Sequence, residues 1–267
     1  MLIGMSTSCF FGKEVVENSI DVMAKMGIKY IEIFLNTMSE YEERYVQELK
    51  KKIDGYGMEV LSVHPQGTQF EIQMYTPYER TVNDAENIFR KVLKAAQILG
   101  AKRYIYHGGM NIKPKRTPFS FEKIGTITGR CARIASEYGL DLAYENVHWC
   151  WFHFPEFAEQ LLNYCQEENL CFNLDIKQAA QSGYAYERYV ETMGKRLKSV
   201  HLCDYAKKEE WVEPEAPFKG EAVFEDIKNK LQISGFDGPA ILELYSSNYD
   251  DYEELKSIFE RMTQIFC

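Results

Sequence analysis

The feature that most restricts the fold is an eightfold alternation along 267 residues: a short apolar, β-branched or aromatic run, a loop, then a segment with helical periodicity. The strand-like runs are Leu2 to Ser6, Tyr30 to Leu35, Glu59 to His64, Arg103 to His107, Asp141 to Asn146, Cys171 to Asp175, Ser199 to Cys203 and Ala240 to Tyr245. Between them, Val16, Ile20, Met23 and Met26 share one helical face before Gly27, a residue suited to the left-handed position past a helix end. Ser39 and Glu42 have capping-box spacing and open a second helix carrying Tyr41, Tyr45, Leu49 and Ile53. Further helices run from about Pro77 to Leu99 and over Ile124 to Tyr138. Pro155 opens a fifth, Val190 and Met193 mark a short sixth, Val223 to Leu231 a seventh, and Leu255 to Ile265 the eighth.

Near-continuous apolar strands separated by helices belong to a parallel sheet covered on both faces, and eight such units in about 250 residues fit a closed barrel better than an open sheet. The expectation is an α/β protein with a single (β/α)8 TIM barrel domain over residues 1–267, since no Ser/Gly/Pro-rich linker divides the chain. Two connections are long, Pro65 to Tyr78 and Asp204 to Gly220, and are expected to cover the active-site face.

Thirty-one Lys plus Arg against forty Asp plus Glu give a formal charge of −9, a field that repels phosphate backbones and argues against nucleic acid. The seven cysteines include no C-x-x-C pair and several sit in apolar runs, which points to reduced thiols and a cytoplasmic location. No signal-like or membrane-spanning apolar stretch is present, so neither secretion nor a membrane partner is expected.

In such barrels chemistry gathers at the C-terminal ends of the strands. Those ends carry His64, His107, Glu145, Asp175, His201 and Glu243, metal-ligand types at six of eight positions. A lone histidine on an apolar strand is usually a satisfied core residue. Carboxylates facing one another in a barrel mouth are different, because they stay ionised cheaply only beside a cation. Three oxygen ligands from Glu145, Asp175 and Glu243 plus His201 suit one Mn2+, Mg2+ or Co2+ ion, with Zn2+ also compatible.

Taken in order, Ser62-Val63-His64-Pro65, Tyr106-His107-Gly108-Gly109, Leu142-Ala143-Tyr144-Glu145-Asn146, Asn173-Leu174-Asp175, Ser199 to Asp204 and Gly238 to Leu244 resemble the xylose-isomerase-like TIM barrels. That family includes ketose 3-epimerases, hydroxypyruvate isomerases, inosose dehydratases and apurinic endonucleases. The resemblance covers essentially the whole chain. It implies that Glu145, Asp175, His201 and Glu243 hold one divalent metal, and that Glu145 and Glu243 exchange a proton with the two faces of a small carbohydrate through an enediolate. His64 and His107 then orient the sugar or complete the surroundings of the metal ligands.

Departures from the family are equally informative. Many members read Asp-x-x-His on the sixth strand, whereas this chain reads Asp175-Ile176-Lys177-Gln178. Gln178 can bond a hydroxyl but is a poor metal ligand; Lys177 is either a substrate contact or a solvated side chain. The stretch Lys207 to Glu221 has no histidine, so the trinuclear site of the endonuclease branch cannot form in the same way. Trp149, in the aromatic loop His148 to Phe154, is placed against the C–H face of a sugar, with a hydrophobic plug or subunit contact as the bland alternative. Trp211 reads as a lid residue or a contact on a neighbouring chain. Gly108-Gly109 is too short for a phosphate loop, and Lys113, Lys115 and Arg116 read as a solvated basic face, which leaves phosphorylation of the sugar open. The leading expectation is a metal-dependent sugar or sugar phosphate isomerase/epimerase. An inosose-dehydratase-like lyase or a non-catalytic carbohydrate-binding barrel are the alternatives, and a homo-oligomer is compatible with either.

Overall fold

Strand alternation sorts the side chains into two layers. In Tyr30–Leu35 the buried Ile31, Ile33 and Leu35 join the large core beneath the helices, while Glu32 takes the opposite face, toward the barrel axis. The same rule holds at Arg103–Tyr106: Tyr104 packs edge-on against Phe89 of the helical layer, and Ile105 joins Ala143 and Cys171 in a separate small cluster inside the barrel. The interior is therefore apolar below and polar at the mouth.

The computed structural model describes residues 1–111 and 119–267. Eight strands form the barrel: β1 (Ile3–Ser6), β2 (Tyr30–Leu35), β3 (Glu59–Pro65), β4 (Arg103–Tyr106), β5 (Asp141–Glu145), β6 (Leu170–Asp175), β7 (Leu197–Leu202) and β10 (Ala240–Leu242). Each pairs in parallel with its neighbours, and β1 closes the ring by pairing with both β2 and β10. Around it lie α1 (Val16–Lys25), α2 (Glu43–Gly55), α3 (Glu79–Leu99), α4 (Phe121–Ser136), α5 (Phe157–Leu162), α6 (Ile176–Gln181), α7 (Tyr186–Met193), α8 (Phe224–Ile233) and α9 (Tyr252–Phe266). The expected (β/α)8 barrel is the observed one.

Three local expectations need correction. The capping box sits at Thr37 and Glu40 and closes a 3-10 turn over Met38–Tyr41; Glu42 is instead the N-cap residue of α2. Nine α-helices, not eight, are present among the described residues, because β6 runs straight into the six-residue α6. The long connection after β7 is an antiparallel hairpin, β8 (Asp204–Lys207) with β9 (Val212–Glu215), and Trp211 beside its tip is 61% exposed. The other long connection, after β3, winds into two 3-10 turns, Gly67–Gln69 and Glu71–Tyr75. All seven cysteines are unpaired, with Cys267 alone exposed. Lys113, Lys115 and Arg116 lie outside the described residues. No helix among the described residues is long and apolar enough to cross a membrane.

Candidate metal centre and active site

Strand register brings the ends of β5, β6, β7 and β10 to one level. Asp175 stands opposite His201 across the β6–β7 pair, Glu145 opposite Asn173 across β5–β6, and Glu243 directly follows β10. One ligand atom from each of Glu145, Asp175, His201 and Glu243 lies within 4.8 Å of the others, and all four residues are buried. His201 Nδ1 is the meeting point, 2.7 Å from Glu145 Oε1 and 2.9 Å from Glu243 Oε2. These four are the quartet expected from the sequence. His64, His107 and Glu145 form a second convergence beside it.

Each glutamate has its own imidazole. His107 Nε2 is 2.8 Å from Glu145 Oε2, and His64 Nδ1 is 3.1 Å from Glu243 Oε1; the two rings meet through their Nε2 atoms at 2.9 Å. Asn173 donates to Glu145 Oε1 at 2.7 Å. Glu32, fully buried on β2, accepts from Ser62 Oγ at 2.6 Å and lies 3.1 Å from His201 Nε2. Sequence reasoning passed over Glu32, although an acid in the middle of Tyr-Ile-Glu-Ile-Phe-Leu is a signal: a buried carboxylate needs a partner, and here it is an imidazole.

Electrostatics at the mouth are those of crowded anions. Burial acts to raise Glu32, but His201 and His64 outweigh it and hold the carboxyl at about 2. Glu145 and Glu243, also buried, are held well below the usual carboxylate range, chiefly by His201. Burial acts to lower His64, yet Glu243 and Glu32 bring it up to about 10, and His201 is raised well above its ordinary value by Glu32, Glu243 and Glu145. Asp175 goes the other way: burial, with the charges of Glu145 and Glu243, lifts it to about 6 against the pull of Lys177.

This donor set fits a divalent metal. With Nε2–H of His201 donating to Glu32, Nδ1 points at two carboxylates; it is buried and lacks a hydrogen bond of acceptable geometry. The three acids hold a proton on this imidazole in the metal-free protein, and a divalent ion would take that proton's place among them. Three carboxylates and one imidazole are a hard, oxygen-rich set suited to Mn2+, Mg2+ or Co2+ and acceptable to Zn2+.

A cavity of about 280 Å3 opens above this cluster. His64, His107, Glu145, Asp175, Lys177, Gln178 and Glu243 supply its polar part, and Phe34, Trp149 and Leu244 part of its apolar wall. The expected residues thus converge, except that His201, fully buried, does not line the cavity as the other three of the quartet do. Asp175 caps α6 by accepting from Gln178 N at 2.8 Å, and the other carboxylate oxygen is 3.2 Å from Lys177 Nζ. Starting the helix at a ligand turns positions 177 and 178 toward the cavity. Lys177 is buried, with Nζ 4.8 Å from the centre of the Tyr245 ring. The Gln178 amide oxygen takes both the backbone N–H of His148 and the His148 ring, which leaves its NH2 for a ligand. The aromatic loop divides: Trp149 faces the cavity and packs edge-on against His107, while Trp151 packs against Tyr75 and Phe119 and Phe152 sits in the core.

A family model described as a xylose isomerase-like TIM barrel matches residues 20–264. The chain belongs to that family. Among solved structures, D-psicose 3-epimerase with D-tagatose from Clostridium cellulolyticum H10 superposes with a TM-score of 0.81 at 16% identity, covering 100% of this chain and 99% of that one. An IOLI protein with a binding zinc atom gives 0.79 at 17% identity, covering 100% and 98%. The probable 3-DHS dehydratase AsbF from Bacillus anthracis gives 0.79 at 12%, covering 98% and 99%. No curated protein matches the sequence significantly. At these identities the structural likeness speaks for the fold.

Proposed function

We propose that this family member is a divalent-metal-dependent isomerase or epimerase that removes the proton α to the carbonyl of a small ketose or ketose phosphate. The observation that carries this reading is the pair Glu145 and Glu243, which approach His201 Nδ1 from two different strands at 2.7 and 2.9 Å on the floor of a partly aromatic cavity. A divalent ion held by Glu145, Asp175, His201 and Glu243 would supply Lewis acidity, making a carbon-bound proton beside a carbonyl easier to remove. Glu145 takes that proton, steadied by His107, and Glu243 returns one that it receives from His64 at 3.1 Å, on the other side of the enediolate. Lys177 and the Gln178 amide bind substrate oxygens, and Trp149 covers a C–H face and keeps water from the reacting carbon.

The test joins a metal count by elemental mass spectrometry with deuterium uptake from heavy water into a panel of ketoses. One metal per chain and exchange in the wild type, both lost in Glu243→Gln, are the expected results. Sugar binding without any exchange would leave a non-catalytic barrel, and wild-type exchange rates in both Glu145→Gln and Glu243→Gln would refute the assignment. Loss of a β-hydroxyl after the same proton abstraction would appear as a dehydrated product.

A further inference from the structure

We infer that Glu71 is a positioning residue of this site: its carboxylate straps the loop after β3 onto the end of β4 and so sets His107 against Glu145. Glu71 is 1% exposed although it lies in a loop. Its Oε2 accepts from the backbone N–H groups of both His107 and Gly108, each at 2.9 Å, and its Oε1 accepts from the Tyr104 hydroxyl at 2.7 Å. Gly108 has φ +70°, so the chain turns away in the left-handed region directly after the two successive N–H groups that share one oxygen. His107 is thus gripped through its own peptide, while its ring reaches Glu145 at 2.8 Å and His64 at 2.9 Å.

The same carboxylate also fixes the rim. Gly67 lies so close over it that a Cβ there would come within 2.5 Å of the Glu71 carboxyl carbon. Gly67 and its neighbours Gln66 and Thr68 line the cavity. One buried acid therefore sets the height of the β3 loop above the cavity and the place of the imidazole in its floor.

The consequence for turnover rests on the reading under Proposed function; the strap itself can be read without turnover. The experiment follows the imidazole signals of the five histidines by long-range 1H–15N correlation in Mg2+-supplemented protein, with metal content and steady-state kinetics alongside. Glu71→Ala is expected to displace the His107 signals, leave metal stoichiometry unchanged and lower kcat about 100-fold with a smaller change in KM, as displacement of a positioned group does. Glu71→Gln, whose amide oxygen accepts the same two N–H groups, is expected to keep wild-type signals and most of the activity. Gly67→Ala is expected to shift the His107 signals in the wild type and to add nothing in the Glu71→Ala background, which also provides a test should Glu71→Ala fail to fold. Unmoved His107 signals in Glu71→Ala or Gly67→Ala, or equal damage in Glu71→Gln and Glu71→Ala, would overturn the inference. A wild type inert toward every ketose, with His107 still displaced in Glu71→Ala, would fail the functional reading and leave the strap standing.

Discussion

Two kinds of buried carboxylate stand a short distance apart in this molecule. Asp204 accepts four backbone N–H groups, from Tyr205, Phe218, Gly220 and Ala222, at 2.7 to 2.9 Å, and Glu71 accepts two and a phenol. Glu145 and Glu243 instead face imidazoles and each other's partner. Backbone donors come with the fold and cannot leave, so an acid they saturate is a fastener. An acid whose partner is an imidazole nitrogen between two anions is only provisionally satisfied, and that unfinished bonding is what a metal ion and a reacting proton can use. Burial is the same in both places; the identity of the donor separates structure from chemistry.

The sharpest way to break that comparison is to neutralise one acid of each kind. Glu145→Gln or Glu243→Gln is expected to lower deuterium exchange into substrate by about 10² to 10⁴, the usual worth of a general base. Asp204→Ala is expected to act on stability instead. Stranding its backbone donors costs about 3 kcal/mol in urea unfolding, with the metal ligands untouched. If Asp204→Ala lowers exchange as much as the glutamate variants do, the distinction fails.

Asp175 belongs to both kinds, since one carboxylate oxygen caps α6, the other meets Lys177, and one of them lies within 4.8 Å of the other three ligand-type atoms. Burial and the neighbouring acids lift it to about 6, and only the carboxylate form ligates. Metal affinity measured by calorimetry is therefore expected to be pH-independent of this group above about 6 and to fall about tenfold per unit as pH drops below it. In the metal-free protein the sign is opposite: the raised value means that Asp175 costs stability as pH rises from the ordinary carboxylate range through 6. The smallest effect expected is on the start of α6 in Asp175→Asn, where hydrogen exchange of the first helical turn stays close to wild type because Asn and Asp cap helices equally well, although metal binding is lost.

How much of this was legible before the structure follows from the range of each signal. The barrel was, because the apolar runs and helical faces repeat over enough residues to show their periods, and the convergence of Glu145, Asp175, His201 and Glu243 was, because each lies at or beside the end of a strand. Residues 176 to 181 are too few to reveal a helical period, and β8 and β9 carry mixed polar and apolar residues with no alternation to read. The two fasteners were invisible for another reason. Glu71 opens a 3-10 turn and Asp204 opens β8, and only the folded chain shows that their partners include backbone amides. Glu32 was readable from its place in an apolar strand and was missed because attention rested on strand ends.

The start of α6 has a consequence for how such a site can change over generations. Asp175, a member of the buried quartet, is also the helix cap, so the backbone, rather than a pliable loop, carries the residues at 177 and 178 to the cavity wall. New side chains can be tried at those two places while the anchor below them is inherited unaltered. At those two places this chain presents an ammonium beside an amide, and that pair, rather than the barrel below, is what a substrate would read.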